Sequence, residues 1–111
     1  NPDYRFWLVV YDVKKSSRKS IEKINALAQE CDKNKIQFIG LTASIDTEME
    51  DYRHEAQAMF PFYWCDATPL KTMIRSNPGL MLIKNGIVID MWHYNNLPSY
   101  EEIKNSTAVQ P

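Results

Sequence analysis

The stretch Ile74–Trp92, with the sequence IRSNPGLMLIKNGIVIDMW, constrains the fold more than any other part of the chain. Leu80–Ile83 is a continuous apolar run, which is typical of a strand buried on both faces. Asn85 and Gly86 are a strong hairpin signal, because both residues tolerate the positive φ of a type I′ turn. The segment Ile87–Trp92 is therefore predicted to return as an antiparallel partner strand.

The tripeptide Asn77-Pro78-Gly79 stands just before the first of these strands. Pro78 cannot donate a ladder hydrogen bond, so it belongs at a strand entrance or a bulge. Cis peptide bonds are mostly confined to X-Pro, which makes Asn77–Pro78 a candidate for one. This order of features resembles the second half of a thioredoxin-fold domain, in which a helix ends in a short basic turn and a cis-proline opens a strand. A Lys-Asn-Gly hairpin then joins that strand to an antiparallel partner. The resemblance implies a three-layer α/β/α sandwich.

The rest of the chain alternates β-branched or aromatic runs with segments of helical apolar spacing. Strands are predicted at Arg5–Val13, Ile36–Thr42 and Phe62–Cys65, and helices at about Ser17–Asn34, Thr47–Ala58, Thr68–Ser76 and Ser99–Asn105, with a frayed tail at Thr107–Pro111. The expected order is β-α-β-α-β-α-β-β-α, in a mixed five-stranded sheet with the first strand at its centre. It is similar to thioredoxin-like domains that carry an additional helix and strand before the cis-proline.

Helix starts are marked by residue types that satisfy the first backbone N–H groups. Thr47 with Glu50, and Ser99 with Glu102, match the capping box. Thr68 is expected to cap the third helix, with Pro69 at its first position. In the second helix, Met49, Tyr52 and Ala56 are expected to face inward.

Length and composition fit one globular domain over residues 1–111, with 44% hydrophobic and 24% charged residues. The net charge of -1 gives no overall attraction to nucleic acid. No run of roughly 18 apolar residues is present, so no transmembrane segment is predicted, and no secretory signal is recognised. The chain begins Asn1-Pro2-Asp3, from which we expect a domain excised from a longer protein.

Redox-active thioredoxins carry Cys-x-x-Cys where the central strand turns into the first helix, and the helix N-terminus lowers the pKa of the first thiol. The matching positions here are Ser16, Ser17, Arg18 and Lys19. Thiol–disulfide exchange through this motif is therefore not expected. Cys65, at the end of the predicted edge strand, is either a lone redox thiol or a small packing residue. Cys31 is expected on the apolar face of the first helix, badly placed for a disulfide with Cys65.

Basic residues crowd the start of the first helix, whose N-terminus is already partly positive. They are Lys14, Lys15, Arg18 and Lys19. The cluster is either a docking face for an acidic partner, a phosphate or anionic lipid headgroups, or a solvated loop. Ser16 and Lys19 have Ser-x-x-Lys spacing, a weak signal for a nucleophile and base. His54 and His93 lack metal-ligand spacing, so no metal and no cofactor are expected.

The segments YDVKKSSRKS, FIGLTAS, FPFYWCD, IRSNPGL and WHYNNLPSYEE resemble the thioredoxin-like domain, lacking the redox motif, at the carboxyl end of certain bacterial DoxX-type membrane proteins. The resemblance implies a soluble domain tethered to a helical membrane bundle, with no established catalytic activity. The lack of paired cysteines favours a reducing compartment, and hence the cytoplasmic side.

Three functional hypotheses follow. In the first, the domain binds an extended acidic peptide beside the cis-proline, with the Asn77 backbone pairing as in an added strand and Thr42–Ser44 as one wall. Its candidate binding residues are Lys15, Ser16, Ser17, Arg18, Lys19, Asn77 and Pro78. In the second, the domain only stabilises or positions its own membrane domain. In the third, it is a single-cysteine thiol oxidoreductase that uses Cys65.

Overall fold

A central strand, β1, organises the computed structural model, which describes residues 3–105. The strands are β1 (Tyr4–Val9), β2 (Gln37–Thr42), β3 (Phe62–Trp64), β4 (Gly79–Lys84) and β5 (Ile87–His93). The α-helices are α1 (Ile21–Lys33), α2 (Asp46–Ala56), α3 (Ala67–Met73) and α4 (Tyr100–Asn105). Short 3₁₀ helices lie at Val13–Lys15 and Tyr94–Asn96. The element order of the α-helices and strands is the predicted one.

The sheet has the strand order β3-β2-β1-β4-β5. Strands β1, β2 and β3 run parallel, whereas β4 is antiparallel to both β1 and β5. The predicted mixed five-stranded sheet with the first strand at its centre is therefore confirmed. On β1, Leu8 pairs with Gly40 of β2 on one side and Leu80 of β4 on the other. An apolar strand suits this position, because both of its edges are paired and Phe6, Leu8 and Val9 are buried.

The two faces of the sheet follow from the alternation of side chains along β1. Phe6 and Leu8 face the larger core cluster, to which α1, α2 and α4 contribute. Trp7 and Val9 face the smaller cluster, which packs against α3. The buried positions Met49, Tyr52 and Ala56 of α2 all join the larger cluster, as predicted. On this face α3 has only seven residues, and Trp7 is partly exposed.

The link between β1 and α1 differs from the prediction. Strand β1 ends at Val9 rather than Val13. The Asp12 carboxylate accepts the backbone N–H groups of Lys14 and Lys15 and caps a 3₁₀ helix that begins at Val13, so the strand cannot reach that residue. Helix α1 starts at Ile21 rather than Ser17. The four positions that match the redox motif therefore lie in a loop and not in the first helical turn.

Only one of the two predicted capping boxes forms. The Ser99 N–H donates to Glu102 Oε1, and the Glu102 N–H donates back to Ser99 Oγ, both at 3.2 Å. The box at Thr47 is wrong, since α2 begins one residue earlier, at Asp46, with Ile45 as its N-cap. Thr47 is thus already inside the helix, where its side chain cannot cap.

Helix α3 is also shifted against its prediction. It begins at Ala67 with Asp66 as N-cap, so Thr68 and Pro69 occupy its second and third positions. It ends at Met73 instead of Ser76. The predicted tail at Thr107–Pro111 lies outside the described residues.

The β4–β5 hairpin has the predicted turn. Asn85 and Gly86 have φ values of 51° and 84°, the positive pair that a type I′ turn requires. The Asn85 N–H donates to the Asp3 carbonyl at 2.8 Å, which ties the turn to the start of β1. At the other end of β4, the Asn77–Pro78 peptide bond is cis. Within residues 3–105, no helix combines the length and apolar character needed to cross a bilayer.

Candidate functional site

The basic loop, residues 12–19, joins β1 to α1 and meets the cis-proline loop, residues 75–78. The Ser17 N–H donates to the Asn77 carbonyl oxygen at 2.9 Å. The Asn77 side-chain amide Nδ2 donates to the Asp12 carbonyl oxygen at 2.8 Å. These two bonds bring the predicted binding residues Ser17 and Asn77 together. Pro78, the residue after Asn77, is buried.

A third segment, the predicted wall Thr42–Ser44, reaches the same end of the sheet. Ser44 Oγ accepts the Val13 N–H at 3.0 Å, and the Ala43 N–H donates to the Tyr11 carbonyl at 3.2 Å. Thr42 and Ser44 are buried. Together with the basic loop and the cis-proline loop, this segment forms what we call the rim.

Ser16 is turned into the protein. Its side chain is 7% exposed, and its hydroxyl donates to the Val13 carbonyl at 3.0 Å while accepting from Arg18 Nη1 at 2.6 Å. Lys19 is exposed and makes no hydrogen bond to Ser16. The structure therefore does not assemble a serine nucleophile with a lysine base at this spacing.

Two of the four basic side chains are neutralised by α2. Arg18 Nε lies 2.5 Å from Glu55 Oε2, and this hydrogen bond raises the pKa of Arg18 and lowers that of Glu55. Lys14 Nζ lies 2.8 Å from Glu48 Oε2. Sequence reasoning missed these pairs. Their signal is the spacing of Glu48 and Glu55, seven residues apart, which places both on one face of a helix.

Tyr52 of α2 completes the contact between α2 and the basic loop. Its buried ring lies beneath the Arg18 guanidinium, with 5.1 Å between the guanidinium carbon and the ring centroid. Burial raises the pKa of Tyr52 above its usual value. A small cleft of about 140 Å³ lies at this contact, between Lys14 and Arg18 of the loop and the acidic side chains of α2.

Other cations on and beside the rim are not paired. Lys15 and Lys19 are exposed and form no ion pair within residues 3–105. The same holds for Lys71 of α3 and Arg75 of the cis-proline loop, which the sequence reasoning did not assign to the site. Lys71 Nζ lies 5.5 Å from the centroid of the Tyr11 ring, so it reaches the start of the basic loop.

The two cysteines are free and lie on opposite faces of the sheet. Cys31 on α1 is fully buried, and burial raises the pKa of its thiol to about 12. Cys65 follows β3 and is half-buried, and its N–H donates to the Thr42 carbonyl at 2.8 Å. It therefore stands next to the rim, as expected from the sequence.

Among the described residues, no group of three or more His, Cys, Asp or Glu side chains is arranged to hold a metal ion.

A second cleft lies away from the rim. It has a volume of about 260 Å³ and lies between α1 and the start of α4, near Leu27 and Tyr100. It is larger than the cleft at the rim, but it has no connection to the predicted site residues.

Comparison with known proteins bears on the fold. No protein-family model matches the chain, and no curated protein matches it. Among solved structures, an uncharacterized conserved protein from Geobacillus kaustophilus is similar with a TM-score of 0.62 and 13% identity over 91% of this chain. The chain spans 63% of the length of that protein.

Two redox proteins are also similar in structure. The bacterioferritin comigratory protein of Xanthomonas campestris, described for its alkyl peroxide reduction activity, has a TM-score of 0.54 and 16% identity, with 82% of this chain and 68% of that chain covered. A secreted Mycobacterium tuberculosis disulfide oxidoreductase has a TM-score of 0.55 and 13% identity, with 88% and 71% covered. The fold is thioredoxin-like. At these identities the similarity extends to the fold alone. In this chain, the basic loop is the segment that follows the central strand of that fold.

Proposed function

We propose that this chain is a redox-inactive thioredoxin-like interaction domain that binds an extended peptide at the cis-proline groove, with the basic loop as a neighbouring wall. The observation that carries the proposal is the tethering of Asn77 to the basic loop through its carbonyl and its side chain. The Asn77 backbone N–H is not engaged by any other described residue. It can donate to a peptide carbonyl in the manner of strand addition.

The cysteine arrangement supports the redox-inactive part of the proposal. Serine and basic residues stand where redox-active thioredoxins have their thiols. The buried Cys31 thiol, with its raised pKa, yields almost no thiolate near neutral pH. Peptide binding needs no thiol, so it is compatible with these residues.

The sequence resemblance to DoxX-type proteins supports a second part of the proposal. We infer that the domain serves a membrane-associated protein on the cytoplasmic side, either by binding a peptide or by positioning its own membrane domain. The single-cysteine alternative, with Cys65 as redox thiol, differs in requiring that thiol. Cys65→Ser is therefore expected to leave peptide binding unchanged.

The test is an NMR titration of the ¹⁵N-labelled domain with a panel of short extended synthetic peptides of different charge. The proposal expects shifts at Ser17 and Asn77 and at their neighbours in the two loops. Shifts confined to other surfaces, such as β5, or no shifts with any peptide, would contradict it. The Cys65→Ser variant, titrated in parallel, separates peptide binding from thiol chemistry.

A further inference from the structure

The rim has an uneven charge distribution. On the side of α2, Lys14 and Arg18 are paired with Glu48 and Glu55. A second set of cations, on the two loops and on α3, lacks ion pairs within the described residues. Lys15, Lys71 and Arg75 belong to this set, as does Lys19, which stands further along the basic loop toward α1.

These cations border the position proposed for the peptide. The 2.8 Å bond from Asn77 Nδ2 to the Asp12 carbonyl joins the two loops. Arg75 stands two residues before Asn77, and Lys15 stands three residues after Asp12. Lys71 lies above the ring of Tyr11, the residue before Asp12.

Acidic groups near the α3 side of the rim do not cancel this charge. The Asp12 carboxylate accepts the N–H groups of Lys14 and Lys15, so it serves the 3₁₀ helix. Asp66 is exposed at the start of α3, about one and a half helical turns before Lys71. A carboxylate that accepts backbone hydrogen bonds keeps its negative charge, so the three cations outnumber these two carboxylates by one.

We propose that the partner of the groove is an acidic extended peptide, whose carboxylates are bound by Lys15 and Arg75. This inference rests on the proposed function. In an extended peptide, alternate side chains lie on one face, so a strand paired with Asn77 presents a row of carboxylates to cations on both loops. A compact phosphate site is less favoured, because α1 starts behind the loop and has Glu22 in its first turn.

The test uses fluorescence anisotropy with two labelled peptides of equal length, one alternating Glu with Val and the other alternating Gln with Val. We expect the Glu peptide to bind more tightly, and its affinity to fall as salt is raised. Lys15→Gln and Arg75→Gln should each weaken binding about two- to fivefold, the range of one exposed ion pair. Lys14→Gln and Arg53→Gln are controls that remove cations already paired with acids of α2, Glu48 and Glu50, and they should leave the affinity unchanged.

Other outcomes separate this inference from the proposed function. Equal binding of the Gln and Glu peptides overturns the acidic preference and leaves peptide binding standing. Binding of neither peptide overturns both. A loss in Lys14→Gln as large as in Lys15→Gln also overturns the inference. So does tighter binding to phosphatidylglycerol vesicles, or displacement of the peptide by equimolar inorganic phosphate. Thermal unfolding of each variant verifies that it is folded.

Discussion

The guanidinium of Arg18 lies over the ring of Tyr52, with 5.1 Å from its carbon to the ring centroid. The same group donates to the carbonyl oxygens of Val13 and Ser16 at 2.7 and 2.9 Å. With the ion pair to Glu55, these contacts fasten the basic loop onto α2. In this chain, the loop after the central strand is thus held by an arginine that connects two elements far apart in sequence.

Replacing Arg18 should loosen this connection. We expect Arg18→Met to lower the free energy of unfolding by about 1–2 kcal/mol, because it removes charged hydrogen bonds and a cation–π contact. Arg53→Met is the control. Arg53 has a similar side-chain exposure, 35% against 37%, but within residues 3–105 its one ion pair is with Glu50 on its own helix. That change should cost below about 0.5 kcal/mol. Urea unfolding of both variants is the measurement. Equal decreases in the free energy of unfolding would show that the contacts between Arg18 and α2 stabilise the domain no more than the Arg53–Glu50 pair does.

The pairing of Glu55 with Arg18 predicts a pH dependence. The Arg18 hydrogen bond holds the pKa of Glu55 below its ordinary value of 4.5. Between the two pKa values the unfolded chain binds more protons, so this contribution to stability is present above about pH 4.5. It is lost as the pH falls through the lower, folded pKa. Urea unfolding from pH 3 to pH 7 should therefore show that the free energy of unfolding falls less at acid pH in Glu55→Gln than in the natural protein. Identical pH profiles would contradict the assignment.

The order and type of the elements could be predicted because their signals are local. The Asn85-Gly86 turn and the apolar run before it need no information from elsewhere in the chain. The rim could be predicted only in part. The pairing of Arg18 with Glu55 spans 37 positions. The seven-residue spacing of Glu48 and Glu55 places both on one face of α2, but it does not tell which cations that face meets. The end of β1 could not be predicted, because residues 10 and 11 continue the strand-like sequence and the Asp12 cap becomes visible only in the structure.

The two capping-box sequences allow a direct comparison of stabilities. Ser99→Ala removes the acceptor of the Glu102 N–H and should destabilise the domain by about 1 kcal/mol. Thr47→Ala is the matched control, because the box at Thr47 does not form and α2 starts before it. It should be neutral within about 0.5 kcal/mol. Chemical denaturation of both variants tests this, and an equal cost would mean that Thr47 contributes a cap after all.

The thiols should differ in reactivity. Alkylation requires the thiolate, and burial raises the pKa of the Cys31 thiol to about 12. We expect iodoacetamide to modify half-buried Cys65 first and to reach Cys31 only when the domain unfolds. Mass spectrometry of the peptides after timed labelling resolves the two sites. Addition of urea is the control, since it should bring both rates together, and fast labelling of Cys31 in the folded domain would contradict its burial.

Strand β5 is an edge of the sheet and carries exposed apolar side chains. Ile87, Val88, Ile89 and Met91 have exposed fractions between 40% and 67%. Such an edge is prone to pairing with another chain. The carboxylate of Asp90 accepts the Met91 N–H at 2.9 Å, which occupies a donor on this strand and places a charge within its apolar run.

Removing Asp90 should therefore promote self-association. Asp90→Ala frees the Met91 N–H and leaves an uninterrupted apolar sequence from Ile87 to Trp92. Sedimentation velocity should show a weight-average sedimentation coefficient that rises with concentration in this variant more than in the natural protein. Asp32→Ala removes one exposed carboxylate from α1 and should not have this effect, because Asp32 lies on no sheet edge. If both variants associate equally, the removal of one negative charge explains the change, and Asp90 has no specific effect on pairing at the β5 edge.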